Sequence, residues 1–461
     1  RLTEIIPFML EVFSKTADPG AAFTAFDRFL SRLPGGVQLF SLLSAQPELL
    51  RLLGDIMGTS PRLAGLLSHR PRTLEAVIAP EFFTHLPDLD EYESALRARI
   101  KQGATPEEYL DLARVFGQEH KFRIGVRLLS GTLEAEEAGA SYAALATACI
   151  RVLLECVEAS FRDRHGRIKG GQVAVLAMGK LGGAEMSANS DLDLVLIYDF
   201  DESCHESDGR RPLGVNAYYA RLTQKLISAL TVPTTEGALY EVDMRLRPSG
   251  RSGPLATSLA SYRAYQDGSA WIWEKLALVR ARPVAGPEPL KTAIEMLIHA
   301  DLCKSRDPMV TAWGVLDMRS RIEEVKGAKG VWDIKQVRGG LLDLEFIVQY
   351  LLLVHAHAHP GILASNTQAA ISRLAAHGLL PPDAALPMIE AVYLYGSVTQ
   401  ILRLCLNGPF DPDTAPEGLK NLLLRVVQAP DLKVLEAQLR ETQQAIHKLF
   451  RDIIEIPAHQ K

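Results

Sequence analysis

The sequence is poor in cysteine, with five among 461 residues and no C-x-x-C pair. An odd and dispersed set is typical of reduced thiols in an intracellular protein and argues against a disulfide framework. We therefore predict a cytoplasmic protein with five free thiols: Cys149, Cys156, Cys204, Cys303 and Cys405.

Long apolar runs and an excess of positive charge are also missing. No window approaches the unbroken apolar length of a membrane-spanning helix, and no basic-plus-apolar signal segment opens the chain, so we expect no membrane partner. The net charge is −5, and no basic stripe carries interleaved aromatic residues. These absences argue against nucleic-acid binding and against transfer onto RNA ends. The composition is otherwise that of a globular protein, and the length predicts two or three domains.

The most informative segment is GKLGGAEMSANSDLD at residues 179–193, a glycine-rich turn followed by two carboxylates at alternate positions. The apolar run before it, residues 173–178, and the run after it, residues 192–198, are both typical of buried strands. Side chains alternate along a strand, so Asp191 and Asp193 are predicted to point to the same face.

Two neighbouring carboxylates repel each other unless a cation shares them. Mg²⁺ prefers oxygen ligands and also binds substrate phosphates, so the pair predicts a magnesium site. Gly179, Gly182 and Gly183 allow a sharp turn whose backbone N–H groups can approach phosphate oxygens closely. This order of features is typical of a nucleotidyltransferase active site.

A third element lies downstream, in the alternating segment 239–248. If this segment is one strand, Glu241, Asp243, Arg245 and Arg247 share a face. Asp243 can then complete a three-carboxylate site for two metal ions, and the arginines can neutralise a triphosphate or a pyrophosphate leaving group.

Four segments together resemble the bifunctional glutamine synthetase adenylyltransferase/adenylyl-removing enzymes, and the resemblance covers most of the chain. They are GKLGGAEMSANSDLDLVLIYD, LYEVDMRLRPSGRSGPLATSLASYRAYQ, AWIWEKLALVRARPVAG and IKQVRGGLLDLEFIVQYLL. That family carries two similar halves of the DNA polymerase β type. A single copy of the motif and a first residue other than Met suggest one excised half. Residues 270–282 and 240–243 look more like the carboxy-terminal, adenylylating half.

The resemblance implies an α+β fold, in which a DNA polymerase β-type nucleotidyltransferase domain is flanked by all-helical regions. It implies transfer of AMP from MgATP to a tyrosine of glutamine synthetase, which regulates nitrogen assimilation. A PII-type signalling protein and glutamine would be effectors. Asp191, Asp193 and Asp243 would be catalytic and metal-binding. The nucleotide would contact Gly179, Lys180, Gly182, Gly183, Ser190, Arg245 and Arg247. Further candidates for neutralising charge are Lys275, Arg280 and Arg282.

Helical periodicity surrounds the motif. The sequence predicts a helical region over 1–140, the nucleotidyltransferase domain over 141–295 and a helical bundle over 296–461. The resemblance implies that the first of these is a regulatory or linker region. The first region contains the Leu-rich stretch 39–53 and is punctuated at Pro34, Pro61, Pro71 and Pro80. The basic stretch 162–169 is interpreted as a solvated turn.

Two further groups in the last region contain residue types that often form sites. Asp343 and Glu345 follow a Gly-Gly turn that the resemblance places beside the catalytic cleft, and only one of them is expected to face it, because residues two apart diverge on a helix. His355, His357 and His359 cannot chelate one ion from a helix for the same reason.

Two alternatives stay open at this point. The chain can be the adenylyl-removing half, which would use the same carboxylates to release ADP with phosphate. More distantly, it can be a non-catalytic regulatory or scaffold module of the same fold.

Overall fold

The computed structural model describes residues 2–14, 16, 18–31, 47–69, 81–101 and 103–459. It is mostly helical with one small mixed sheet, which confirms the α+β class. Of the helix breaks expected in the first region, Pro34, Pro71, Pro80 and the first part of the 39–53 stretch lie outside the described residues. Pro61 begins a helix.

Eight helices precede the sheet in the described part of the chain: α1 Leu2–Ser14, α2 Pro19–Ser31, α3 Pro47–Thr59, α4 Pro61–His69, α5 Glu81–Thr84, α6 Leu89–Arg99, α7 Pro106–Ser130 and α8 Ala135–His165. The sheet region contains β1 Gln172–Ala177, α9 Gly179–Gly182, β2 Leu192–Asp199, α10 Val215–Thr231, β3 Val242–Asp243, β4 Ala256–Ser258, α11 Leu259–Gly268, α12 Ile272–Leu278 and β5 Arg282–Ala285. The remaining helices are α13 Glu288–Leu302, α14 Pro308–Lys326, α15 Leu341–His355, α16 Thr367–Ala376, α17 Pro382–Cys405, α18 Glu417–Val427, α19 Leu432–Phe450 and α20 Ile456–His459.

The two strands predicted on either side of the glycine turn are confirmed. β1 and β2 are antiparallel neighbours, and β5 pairs with the other edge of β1. β3 and β4 both run parallel to β2, at its beginning and its end respectively. The strand order β3-β2-β1-β5 places β2 inside the sheet, so the residues that begin β2 lie beside β3.

The longest helix, α8, packs against α6, α7 and α10 and forms the centre of the helical layer. Contrary to the sequence expectation, it is long and apolar enough to pass as a membrane span, with a mean hydropathy of 1.5. However, 72% of that apolar stretch is buried inside the fold. Its hydrophobicity is explained by packing on all sides, as in the core helix of a globular protein.

The expected domain limits fall inside continuous helices. Residue 140 lies within α8, and residue 295 lies within α13. Buried apolar side chains form one core cluster that extends from Met9 to Ile454. All five cysteines are free thiols, and Cys149 and Cys405 are buried.

Candidate active site

The glycine turn connects β1 to the site through a single helical turn, α9. Gly179 has φ +53°, a left-handed conformation that favours glycine. A Cβ atom at this position would lie 2.5 Å from Oδ2 of Asp193. The turn is also tied to the next strand, because the Met178 N–H donates to the Asp193 carbonyl at 2.9 Å. Gly179 therefore lets the backbone pass directly beside a candidate catalytic carboxylate.

Three carboxylates converge at this point, as the sequence predicts. Asp193 stands opposite Asp243 in the parallel pairing of β2 with β3, and Asp191 immediately precedes β2. One carboxylate oxygen from each residue lies within 4.8 Å of the other two. Asp191 is exposed, whereas Asp193 and Asp243 are half-buried. We call Asp191, Asp193 and Asp243 the carboxylate triad.

The electrostatics of the triad are those of a site short of positive charge. Burial, together with the neighbouring Asp191 and Asp243, raises the pKa of Asp193 to about 6. For Asp243, burial opposes ionisation, but hydrogen bonds from Arg245 prevail and lower its pKa. A hard divalent cation would relieve this repulsion, and carboxylate oxygens are the donors that Mg²⁺ prefers. The residues present therefore fit a magnesium site.

The long strand predicted over 239–248 is wrong. Regular pairing with β2 stops at Asp243, and the chain then turns, so the shared face that was to present both arginines does not form. Arg245 folds back on Asp243 instead: its backbone N–H and its Nε donate to the carboxylate at 2.8 and 2.6 Å. The Arg245 side chain is 66% exposed, so its guanidinium lies at the open rim of the triad.

Two other predicted phosphate contacts have structural partners. Arg247 donates to the carbonyl oxygens of Met244, Arg251 and Gly253 and thereby closes the turn after β3. Ser190 Oγ accepts from the backbone N–H of Ser187 at 2.9 Å, so its hydroxyl helps to shape the loop before Asp191.

Gly182 and Gly183 have ordinary backbone angles, and their small size serves packing. A Cβ atom at Gly182 would lie 1.8 Å from the Arg280 carbonyl, and one at Gly183 would lie 2.6 Å from Nη2 of Arg280. Gly183 has φ −76°, an ordinary backbone angle that any residue can adopt. The turn is tight here because the Arg280 side chain passes against it.

Arg280 is buried and holds the turn against the C-terminal helices. It donates to Glu185 at 2.5 Å and to Glu345 at 2.6 Å. Glu185 in turn accepts the backbone N–H of Thr367 at 2.6 Å, at the start of α16. This network, Arg280 with Glu185 and Glu345, is the Arg280 cluster. Its arginine is already neutralised, so the expected role in binding substrate phosphates does not follow.

The other two candidates for charge neutralisation are likewise engaged elsewhere. Lys275 is buried and pairs with Asp301 at 2.9 Å, while also donating to Gln266. Arg282 donates to the carbonyl oxygens of Leu181 and Gly182, so it supports the underside of the glycine turn.

Lys180 differs from these residues because its ammonium group has no hydrogen-bond or ion-pair partner among the described residues. Burial, with Lys335 as the next contribution, lowers its pKa to about 8. It lines a pocket together with Glu345, Asn366 and Gln400, whose empty volume of about 800 Å³ is partly open to solvent. An unpaired lysine in such a position is suited to an anionic ligand group.

Lys335 was not singled out from the sequence. It belongs to the turn before α15, and its positive charge lowers the pKa of both Asp193 and Lys180. Its neighbour Ile334 is buried, so the turn is fixed while Lys335 itself stays exposed. No local motif marks a lone lysine in a turn; only the tertiary fold brings it to the triad.

Of the two acids on α15, Glu345 faces the cavity and Asp343 does not. Asp343 is fully buried, pairs with the buried Arg319 and accepts the Gly339 N–H at 2.6 Å. Asp343 therefore supports the Gly-Gly turn from inside the fold. The expectation that only one of the two acids faces the cleft agrees with this arrangement. His355, His357 and His359 form no metal-binding group, since within the described residues only the carboxylate triad meets that geometry.

Known families match two parts of the chain. The model of glutamate-ammonia ligase adenylyltransferase matches residues 50–296, which include the triad and the glycine turn. The model of GlnD PII-uridylyltransferase matches residues 316–454, the C-terminal helices.

Curated relatives match nearly the whole chain. A bifunctional glutamine synthetase adenylyltransferase/adenylyl-removing enzyme of Rhodopseudomonas palustris is 44% identical over 98% of this chain and 46% of its own length. Proteins of the same name from a Bradyrhizobium species and from Xanthobacter autotrophicus are 44% and 46% identical over 98% and 99% of this chain, again covering 46% of each relative. The chain thus spans a little under half the length of these relatives. Because the first family model covers more than half of its residues, the chain belongs to the glutamate-ammonia ligase adenylyltransferase family.

Proposed function

We propose that this chain transfers AMP from MgATP to a tyrosine hydroxyl of glutamine synthetase and releases pyrophosphate. The observation that carries the proposal is the convergence of Asp191, Asp193 and Asp243 beside the left-handed Gly179. A scaffold of the same fold would have no need to keep three mutually repelling carboxylates together. We propose a DNA polymerase β-type fold for the sheet region on the same grounds.

In this proposal the triad holds Mg²⁺. Bound Mg²⁺ would neutralise the polyphosphate and favour ionisation of the attacking phenol. Gly179 leaves room for the nucleotide phosphates next to Asp193, since a side chain there would fill the space. Lys335 adds positive charge that acts on Asp193, and the unpaired ammonium of Lys180, which follows Gly179 in the turn, is available to a phosphate oxygen.

The role that we propose for Arg245 depends on whether a cation is bound to the triad. Its guanidinium supplies the positive charge beside Asp243 and lies at the exposed rim, where it can move. We propose that it leaves Asp243 when a cation binds and then contacts the triphosphate or the departing pyrophosphate. Its fork of parallel N–H donors suits phosphate oxygens.

The names of the relatives include a second activity, removal of the adenylyl group, and the chain covers less than half of each relative. Incubation with MgATP and unmodified glutamine synthetase separates the two activities. A mass gain of one AMP on glutamine synthetase, lost in Asp193→Asn but kept in Asp199→Asn at the exposed end of the same strand, supports transfer. Release of ADP from the modified protein with phosphate, and no mass gain on the unmodified one, would overturn it.

Regulation and location are also proposals. The match of residues 316–454 to a PII-uridylyltransferase model supports a PII-type signalling protein as a partner. Glutamine as an effector and a cytoplasmic location agree with a role in nitrogen metabolism. A pull-down of a PII-type protein by the chain, compared with and without glutamine, tests the partner.

A further inference from the structure

A second concave site lies on α10, on the side away from the sheet. It has an empty volume of about 1070 Å³, part of it open to solvent. Its walls are the end of α8, the loop that precedes α10 and the exposed face of α10. Its lining residues are Phe161, Arg164, His165, Arg211, Pro212, Leu213, Arg221, Gln224, Lys225 and Ser228. We call it the basic groove.

The groove contains four permanent cations, Arg164, Arg211, Arg221 and Lys225, and no carboxylate from the described residues. None of the four side chains forms an ion pair or a hydrogen bond with another described residue. The arginine-containing pocket beside it is different, since Arg151 there is matched by Glu93 at 2.8 Å. In a chain of net charge −5, four unpaired cations around one concavity are an exception that packing does not explain.

The frame of the groove is rigid before any ligand binds. The loop before α10 is pinned to the end of α8 because the Arg211 N–H donates to the Arg164 carbonyl at 3.2 Å and His165 Nδ1 bonds the Arg211 carbonyl at 2.7 Å. Gly209 packs so closely that a Cβ atom would lie 2.1 Å from the Gly166 nitrogen. The backbone that presents Arg164 and Arg211 is therefore preorganised, which lowers the entropic cost of binding.

Repulsion between like charges destabilises the exposed face of α10, and a bound anion would relieve it. Arg221 and Lys225 are four residues apart on the helix, so their like charges repel each other. Gln224 and Ser228 share the same exposed face and add neutral hydrogen-bonding groups. The opposite face, with Leu222 and Leu226, is buried in the core, so the charged face is fixed towards the groove.

We propose that the basic groove binds a small polyvalent phosphate anion, either inorganic or carried by a nucleotide, without a metal ion. Four cations in a concave frame suit several phosphate oxygens on one ligand, and arginine presents paired donors to them. The site is separate from the carboxylate triad, and the inference does not depend on the transferase activity. It also changes the interpretation of residues 162–169, because Arg164 and His165 line a site and are not simply part of a solvated turn.

The test is calorimetric titration of the protein with inorganic triphosphate in EDTA at low ionic strength. Wild type should bind one equivalent at this groove, and Arg221→Gln/Lys225→Gln should weaken binding about tenfold or more. The matched control, Arg210→Gln/Arg263→Gln, also removes two exposed cations, one of them adjacent to Arg211, but both lie outside the groove. It should change the affinity by less than about twofold. The groove variant should melt no lower than wild type, because a like-charge pair has been removed.

Each other outcome is decisive. Absence of metal-independent binding, or equal weakening by both double variants, would overturn the proposal in favour of unspecific attraction. Equal affinities for triphosphate and ATP support recognition of the phosphates alone, whereas tighter binding of ATP supports a nucleotide ligand. Displacement of triphosphate by a much tighter poly-glutamate peptide would replace the small anion with an acidic protein segment and overturn the assignment.

Discussion

The carboxylate triad and the Arg280 cluster lie at opposite ends of one glycine turn. They differ in how far their charges are compensated by neighbouring charges of opposite sign. In the triad, Asp191 and Asp193 have no cation bonded to them in the described structure, and burial together with repulsion from Asp191 and Asp243 raises the pKa of Asp193 to about 6. In the cluster, Arg280 meets two carboxylates and is buried between them. Charge left uncompensated at a cleft is available to a ligand, whereas compensated buried charge fixes geometry.

The comparison shows that arginines near the glycine turn have different roles, which depend on the groups that they contact. The family resemblance implied a nucleotide contact for Arg245 and made Arg280 and Arg282 further candidates for neutralising charge. The structure places Arg245 at the exposed rim of the triad, where it pairs with Asp243. Arg280 is instead buried between two carboxylates, and Arg282 donates to carbonyl oxygens of the glycine turn.

The largest effect is expected at the centre of the triad. Asp193→Asn should reduce turnover on the order of a hundredfold or more, since one preorganised charged group is lost. The fold should persist, and metal-free protein should melt at the same or a higher temperature because repulsion is relieved. Steady-state kinetics and thermal melts check this, with Asp199→Asn as the control on the same strand. Near-normal turnover with unchanged Mg²⁺ dependence would remove Asp193 from the site.

Disruption of the Arg280 cluster should lower the stability of the fold. Arg280→Met leaves Glu345 without its cation and Glu185 with only its Thr367 contacts, so unfolding should become easier by about 3 kcal/mol. Arg263→Met, at an exposed position, should change the free energy of unfolding by less than about 0.5 kcal/mol. Denaturant unfolding measures both. If the two variants were equally stable, the cluster would not hold the turn.

Gly183→Val should act through the same cluster. The backbone angle at Gly183 suits any residue, so the effect of the substitution comes from the side chain. That side chain would displace the Arg280 guanidinium, which lies against Gly183. We expect stability and ATP affinity to fall together, as measured by melts and nucleotide titration. A folded, fully stable Gly183→Val protein with weakened ATP binding would instead place the phosphates directly on Gly183.

The pH dependence sharpens the contrast between the two regions. The pKa of Asp193 is raised in the folded state, so its protonated form stabilises the metal-free protein fully below about pH 4, and this stability is lost as the pH rises through about 6. Protons should correspondingly compete with Mg²⁺ below about pH 6. Melting temperatures from pH 4 to 8, with and without Mg²⁺, measure both effects. In Asp193→Asn, the difference between the melting temperatures with and without Mg²⁺ should depend less on pH. An unchanged pH dependence of this difference would contradict the assignment.

The smallest effect on stability is expected at Arg245. Its exposed pairing with Asp243 should contribute less than about 1 kcal/mol to folding. Arg245→Lys keeps the charge and loses the planar fork, so turnover should fall clearly while the melting temperature stays constant. Both quantities are measured on one preparation. A lower melting temperature with unaltered turnover would show that Arg245 only supports the turn after β3.

The sequence by itself determined the strands on either side of the glycine turn and the placement of Asp191 beside Asp193. Both follow from local rules, since apolar runs form buried strands and alternate residues share a face. Asp243 joins the pair only through the parallel pairing of β3 with β2. It also predicted the helical surroundings, because helical periodicity is repeated over many turns.

Tertiary structure alone decided how the charges are used. β3 ends at Asp243 instead of continuing over 239–248, and Arg245 bonds back to Asp243 in the turn that follows. The alternating residues in the sequence do not reveal that turn. Arg280 meets Glu345 from 65 residues away, and Lys335 reaches the triad from another helical region. Coulombic and hydrogen-bond partners depend on distance in space, whereas sequence patterns specify only the neighbours along the chain.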